Sequence, residues 1–135
     1  MKKLLSTKYS QGGFNFSMFI LRVTLGVLLT SHGYDKLVHF AEMKGHFFNF
    51  LGLGSVVSLC LAIFAEFFCS LFLILGLFTR FAAIPIVIMM GVVVFMVTHG
   101  QILGPGERGA IYLAAALTVL FNGPGKISLD SILGK

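Results

Sequence analysis

Charge is what this sequence has least of. Of its 135 residues, 11% are Asp, Glu, Lys or Arg, where a soluble domain carries about a quarter. Apolar residues make up 57% and mean hydropathy is +0.97. That balance excludes an ordinary water-soluble domain and points to a polytopic membrane protein. The net charge is +5, but the lysines and arginines are scattered at the flanks of apolar runs. Nucleic-acid binding is therefore excluded, and the cations read as orientation charges. Cysteine is equally scarce. Cys60 and Cys69 lie in one predicted helix, about 13.5 Å apart along its axis, too far for a disulfide. There is no C-x-x-C, and both read as small buried thiols. No H-x-x-x-H, H-E-x-x-H or Cys–His cluster is present, so no metal site is expected. Gly104, Pro105 and Gly106 make a turn rather than a phosphate-binding loop. Nucleotide motifs, internal repeats and low-complexity segments are also missing.

Four apolar segments are long enough to cross about 30 Å of hydrocarbon. They run from about Phe16 to Gly33, Gly54 to Leu77, Phe81 to Thr98 and Glu107 to Asn122. The first resembles a signal peptide, but its lysines lie far from the apolar run and no A-x-A site follows Leu29. It is read as a retained membrane helix. Short connections join antiparallel neighbours, so the expected fold is all-α: one domain over residues 1–135, an integral membrane four-helix bundle running up-down-up-down. Lys2, Lys3, Lys8, Arg80, Lys126 and Lys135 fall on one side of it, and Lys36, Lys44 and Arg108 on the other. This excess places both termini in the cytoplasm. The connection "YDKLVHFAEMKGHFFNFLGL" is too rich in Phe for a solvated loop. It reads as an interfacial segment, partly helical, forming a lid over the outer mouth. After Gly123 and Pro124 stop the fourth helix, Ser128 is placed to cap a short surface helix.

Two lone charges interrupt the apolar runs, Arg22 in the first and Glu66 in the second. On a helical wheel, Arg22, Gly26, Leu29, Thr30, Gly33 and Lys36 share one face of the first span. Ser55, Leu59, Ala62, Glu66, Cys69, Ser70 and Leu73 share a face of the second, and Glu107, Ala110, Ile111, Ala114, Thr118 and Phe121 a face of the fourth. Small and polar faces turn inward in lipid. Arg22 and Glu66 are then about 8 Å apart in depth at 1.5 Å per residue, within reach of a long arginine. The expectation is an intramembrane ion pair, each charge offsetting the ~2.5–3.5 kcal/mol cost of the other.

A second group gathers at the outer end. His32 and Lys36 close the first span, His99 closes the third, and Glu107 and Arg108 open the fourth. A neutral histidine donates and accepts hydrogen bonds and titrates near physiological pH. Facing Glu107, it has the chemistry of a proton relay or of a grip on a polar head. His32, Lys36, His99 and Glu107 are the candidate ligand-binding or relay residues. His39 and His46, in the connection, read as interfacial anchors.

The order of these motifs resembles the DoxX family of small four-helix membrane proteins. The likeness runs from about Phe19 to Leu133. It is carried by Arg22, His32, Gly33 and Lys36, then Glu66, Gly76, Thr79 and Arg80, then Gly123, Pro124, Gly125, Ser128 and Asp130. The resemblance implies a plasma-membrane protein. The family takes its name from a subunit of a thiosulfate:quinone oxidoreductase, and relatives are linked to sulfur and redox metabolism. The absence of a paired cysteine motif argues against a thiol relay here. The leading expectation is a redox module that holds a quinone or similar lipid-soluble ligand at the outer leaflet and works with a redox partner or as a homo-oligomer. The sequence leaves open whether it is an enzyme. A small-solute carrier or channel with Arg22 and Glu66 in its pathway, and a non-catalytic membrane scaffold, are the competing readings.

Overall fold

In a computed structural model, residues 4–134 are described; Lys2, Lys3 and Lys135, counted above as orientation charges, lie outside the described residues. Among the described residues every regular element is helical. Helix α1 spans Gln11–Val38, and its 28 residues extend about 42 Å. It overruns the expected span at both ends. At its start the Ser10 hydroxyl accepts the Gly13 amide at 3.0 Å, one of the donors that a helix N-terminus leaves free. At its finish Lys36 sits in the last turn, where a cation suits the helix dipole. A short α2, Phe40–Met43, follows. Then come α3, Ser55–Leu75, and α4, Thr79–Val97. The chain closes with α5, Glu107–Asn122, and a one-turn α6, Leu129–Ile132.

Helices α1, α3 and α4 are long and apolar enough to cross a membrane. Helix α5 has 16 residues, about 24 Å, less than the ~30 Å of hydrocarbon. Helix α1 packs on α3 and α5, and α4 packs on the same two. Leu25, Leu29, Leu73, Ile86, Met90 and Val119 fill the space between them. Outside, large apolar side chains such as Phe81, Phe95 and Phe121 stand exposed.

The wheel reads two faces of three correctly. On α1, Arg22, Gly26, Leu29 and Gly33 are buried; on α3, Leu59, Ala62, Glu66, Cys69, Ser70 and Leu73 are. Cys60, expected inside, is exposed. Helix α5 turns the other way. It buries Gly109, Ala116 and Val119, while Glu107, Ile111, Ala114, Thr118 and Phe121 face outward. Thr118 tolerates this because its hydroxyl donates to the Ala114 carbonyl at 2.8 Å, which satisfies its donor within the helix.

At the end of the molecule where α3 turns into α4, the C-terminal segment folds back and latches the helices. Gly76 takes φ +70°, and a Cβ there would lie 2.5 Å from Ser128 Cβ and 3.1 Å from the Arg22 guanidinium carbon. Only glycine fits this conformation and this approach. Asp130 accepts the Phe78 and Thr79 amides at 2.8 and 2.9 Å, placing a carboxylate at the positive start of α4. Its own amide donates to the Gly76 carbonyl. Ser128 caps α6 as expected, accepting the Ser131 amide at 3.2 Å. The tail also runs along α1, where the Lys126 amide donates to Asn15 Oδ1.

Arg22 is fixed by this tail. Its guanidinium donates to the Pro124 carbonyl at 2.7 Å and to the Ile127 carbonyl at 2.8 Å, and lies 5.6 Å from the centre of the Phe19 ring. Two charge-assisted bonds of this kind contribute about 1.5–3 kcal/mol each. The expected Arg22–Glu66 pair does not form, and helix register is the reason. Gly33 meets the backbone of Glu66 and Phe67, which places Glu66 level with the far half of α1. Arg22 lies eleven residues back along that helix, about 16 Å away.

A candidate ligand site at the loop end

Glu66 has a different partner. Lys36 Nζ donates to Glu66 Oε2 at 2.6 Å, with the side chains 18% and 6% exposed. Two features bring them together. Gly33 lets α1 close against α3, and one turn later Lys36 points back down the groove. Glu66 itself sits in a π-helical stretch, Phe64–Cys69. Such stretches add a residue to the turn and are frequent at functional sites.

The ion pair lines an apolar cavity of about 530 Å³, within the range of small-molecule sites. Every long helix contributes a wall: Leu29, His32 and Lys36 from α1, Ala62 and Glu66 from α3, Met89 and Met90 from α4, Gly109 and Tyr112 from α5. The outer-end candidates lay on the first, third and fourth spans, but α3, the second span, is a wall as well. Phe47, Phe48 and Phe50 of the connection complete the lining, so the Phe-rich segment covers the cavity as its composition suggests. It is pinned there by Ser58, whose hydroxyl accepts the Phe50 amide at 2.8 Å and donates to the Gly54 carbonyl at 2.7 Å.

A second polar pair stands in the same cavity. Tyr112 Oη lies 3.4 Å from His32 Nε2, and the two rings meet edge-on at 6.0 Å. Which atom donates depends on the imidazole tautomer. Tyr112 escaped the sequence reading because the stripe assigned to α5 lay on its opposite side. The available signal was its place one turn after Arg108, as the single polar aromatic of that helix. Of the four candidate residues, His32 and Lys36 reach the cavity. His99 and Glu107 do not; both are exposed and neither lines it. Matching depth put them together, but His99 leaves its helix with φ +55°, which turns it away.

The remaining histidines stay at the surface. His39 Nδ1 is 2.9 Å from the Asp35 carbonyl oxygen and 3.3 Å from its carboxylate. The carbonyl contact first, and the carboxylate second, raise its pKa above the ordinary imidazole value. Among the described residues, no three His, Cys, Asp or Glu side chains come together in a group able to hold a metal.

The cavity therefore offers an apolar body with two polar pairs that can each both donate and accept. A family model described as DoxX matches residues 17–99, from within α1 to the end of α4, and with them His32, Lys36 and Glu66. No curated protein and no solved structure matches the chain.

Proposed function

The chain belongs to the DoxX family, and from that membership and the cavity we propose that it is a plasma-membrane redox module that holds a quinone or similar lipid-soluble ligand and works with a partner protein that supplies electrons. The observation that carries this reading is the convergence of Lys36–Glu66 and His32–Tyr112 in an otherwise apolar space. A quinone has an apolar ring with carbonyl oxygens at opposite edges, and two separated donors suit it. His32 and Tyr112 are the groups for one oxygen, and the ion pair for the other. The same pairs are placed to exchange protons with a bound head. A channel is less favoured, because Leu25, Leu73, Ile86 and Val119 fill the interior beyond the cavity.

In this reading all four long helices form one up-down-up-down membrane domain, α5 with its ends in the headgroup region. Both termini face the cytoplasm and the cavity opens in the outer leaflet. Two expected results follow. Replacing His32 by Phe depletes the co-purifying quinone about tenfold, while replacing His99 by Phe leaves it unchanged; equal retention in both variants would refute the site. Replacing Arg22 by Leu unlatches the tail, and trypsin then cuts after Lys126 faster than in the wild type. This happens in inside-out vesicles. Cleavage from the outer face instead would reverse the orientation.

A further inference from the structure

The cavity is closed toward one side and open toward another. Phe47, Phe48 and Phe50 cover it where the α1–α3 connection crosses the end of the helices. Its side wall is different. Leu61, Phe64 and Ile88 line it and are also 47%, 50% and 56% exposed, as Val97 and Arg108 are nearer the loops. A residue that does both stands at an opening. The gap lies between α3 and α4. Those helices pack together through the Phe64–Leu75 part of α3, whereas the Ser55–Ile63 part leans on α1. The pair thus diverges toward the loop end, and the wedge between them faces the side on which lipid chains would lie.

The head end of the cavity has its own chemistry. Lys36 and Glu66 neutralise each other, and Arg108, the other charged lining residue, is exposed, so the buried part of the site presents spare donors and a spare acceptor without net charge. Such a site suits a neutral head bearing carbonyl or hydroxyl groups. An anionic phosphate seated at the pair, rather than at the exposed Arg108, would have to break it and leave Glu66 buried beside the new charge.

We propose that the cavity takes its ligand sideways from the bilayer: a neutral-headed amphiphile whose head rests on Lys36–Glu66 and His32–Tyr112, and whose chain leaves between Leu61 and Phe64 on α3 and Ile88 on α4. This rests on reading the cavity as a ligand site. It adds the route of entry, the charge of the head and the path of the chain.

The test uses the full chain in nanodiscs and two probes with one head, a dimethoxy-methyl benzoquinone with a decyl chain and the same ring without a chain. Leu61→Trp with Ile88→Trp closes the side opening. Val56→Trp, on the same helix, as exposed as Leu61 and off the cavity lining, is the control. The expected result is that the double variant weakens the decyl compound about tenfold and leaves the chainless ring within about twofold of wild type, while the control changes neither. Equal weakening of both probes, or no change in either, overturns the sideways route and leaves the ligand site standing. Failure of both probes to bind the wild-type chain removes the ligand site itself, and the route with it.

Discussion

Replacing Glu66 by Ala, or Lys36 by Met, destabilises the folded chain by about 3 kcal/mol, and replacing both, Lys36→Met with Glu66→Leu, restores most of the loss. Glu66 is 6% exposed and its carboxylate is held by Lys36 Nζ at 2.6 Å. Each single change leaves one charge in a low-dielectric cavity with no counter-charge, and breaking a buried pair costs about 3–5 kcal/mol. The lower figure applies because Lys36 keeps some exposure, at 18%. The double change removes both desolvation costs and fills the space with apolar atoms. Unfolding in mixed detergent measures all three variants. A coupling energy near zero, with the two single losses simply adding, would show that the pair is not a unit.

Replacing Gly33 by Val is the second large effect, and it acts through the backbone. A Cβ at Gly33 would lie 2.7 Å from the Glu66 carbonyl carbon, 2.7 Å from the Phe67 nitrogen and 2.9 Å from its Cα. No rotamer change relieves contacts with main-chain atoms, so α1 must move off α3. That movement separates Lys36 from Glu66 and opens the floor of the cavity. Overpacking of this kind costs about 1–3 kcal/mol by itself, and the disturbed ion pair adds to it. Gly91 is the matched control. It lies within α4, and a Cβ there meets nothing within 4 Å. Gly91→Ala should be neutral or stabilising by up to about 1 kcal/mol, since alanine is the better helix former. Thermal unfolding in detergent compares the two. A Gly33→Val chain as stable as wild type would mean that the helices do not approach as closely as the structure has them.

The sequence was most legible where a face carries groups that lipid cannot solvate. Arg22 on α1 and Glu66 on α3 oriented both helices correctly, because a charge must turn inward or find an internal partner. Helix α5 has no such anchor in its middle. Its small residues lie on more than one side, so size and polarity chose the wrong one, and Tyr112 was lost with it. Partners were harder to read than faces. The depth of Arg22 was measured from a helix start at Phe16 taken as level with the end of α3, whereas Arg22 itself lies beside Gly76 at that end and α1 overhangs it. More important, the acceptors of Arg22 are main-chain carbonyls of Pro124 and Ile127, and side-chain chemistry says nothing about carbonyls a hundred residues away. His99 and Glu107 show the converse limit. Equal depth along two helices does not put two side chains on the same side of the molecule.

Mass spectrometry of what co-purifies with the chain tests the ligand site most directly. The samples are the wild type and the Lys36→Met/Glu66→Leu variant, which remains folded because neither charge is left unpaired. The account predicts a quinone or another neutral-headed amphiphile in near-stoichiometric amount with the wild type, reduced about tenfold in the variant. Bulk phospholipid alone on the wild-type chain, or an unchanged complement on the folded variant, would contradict it.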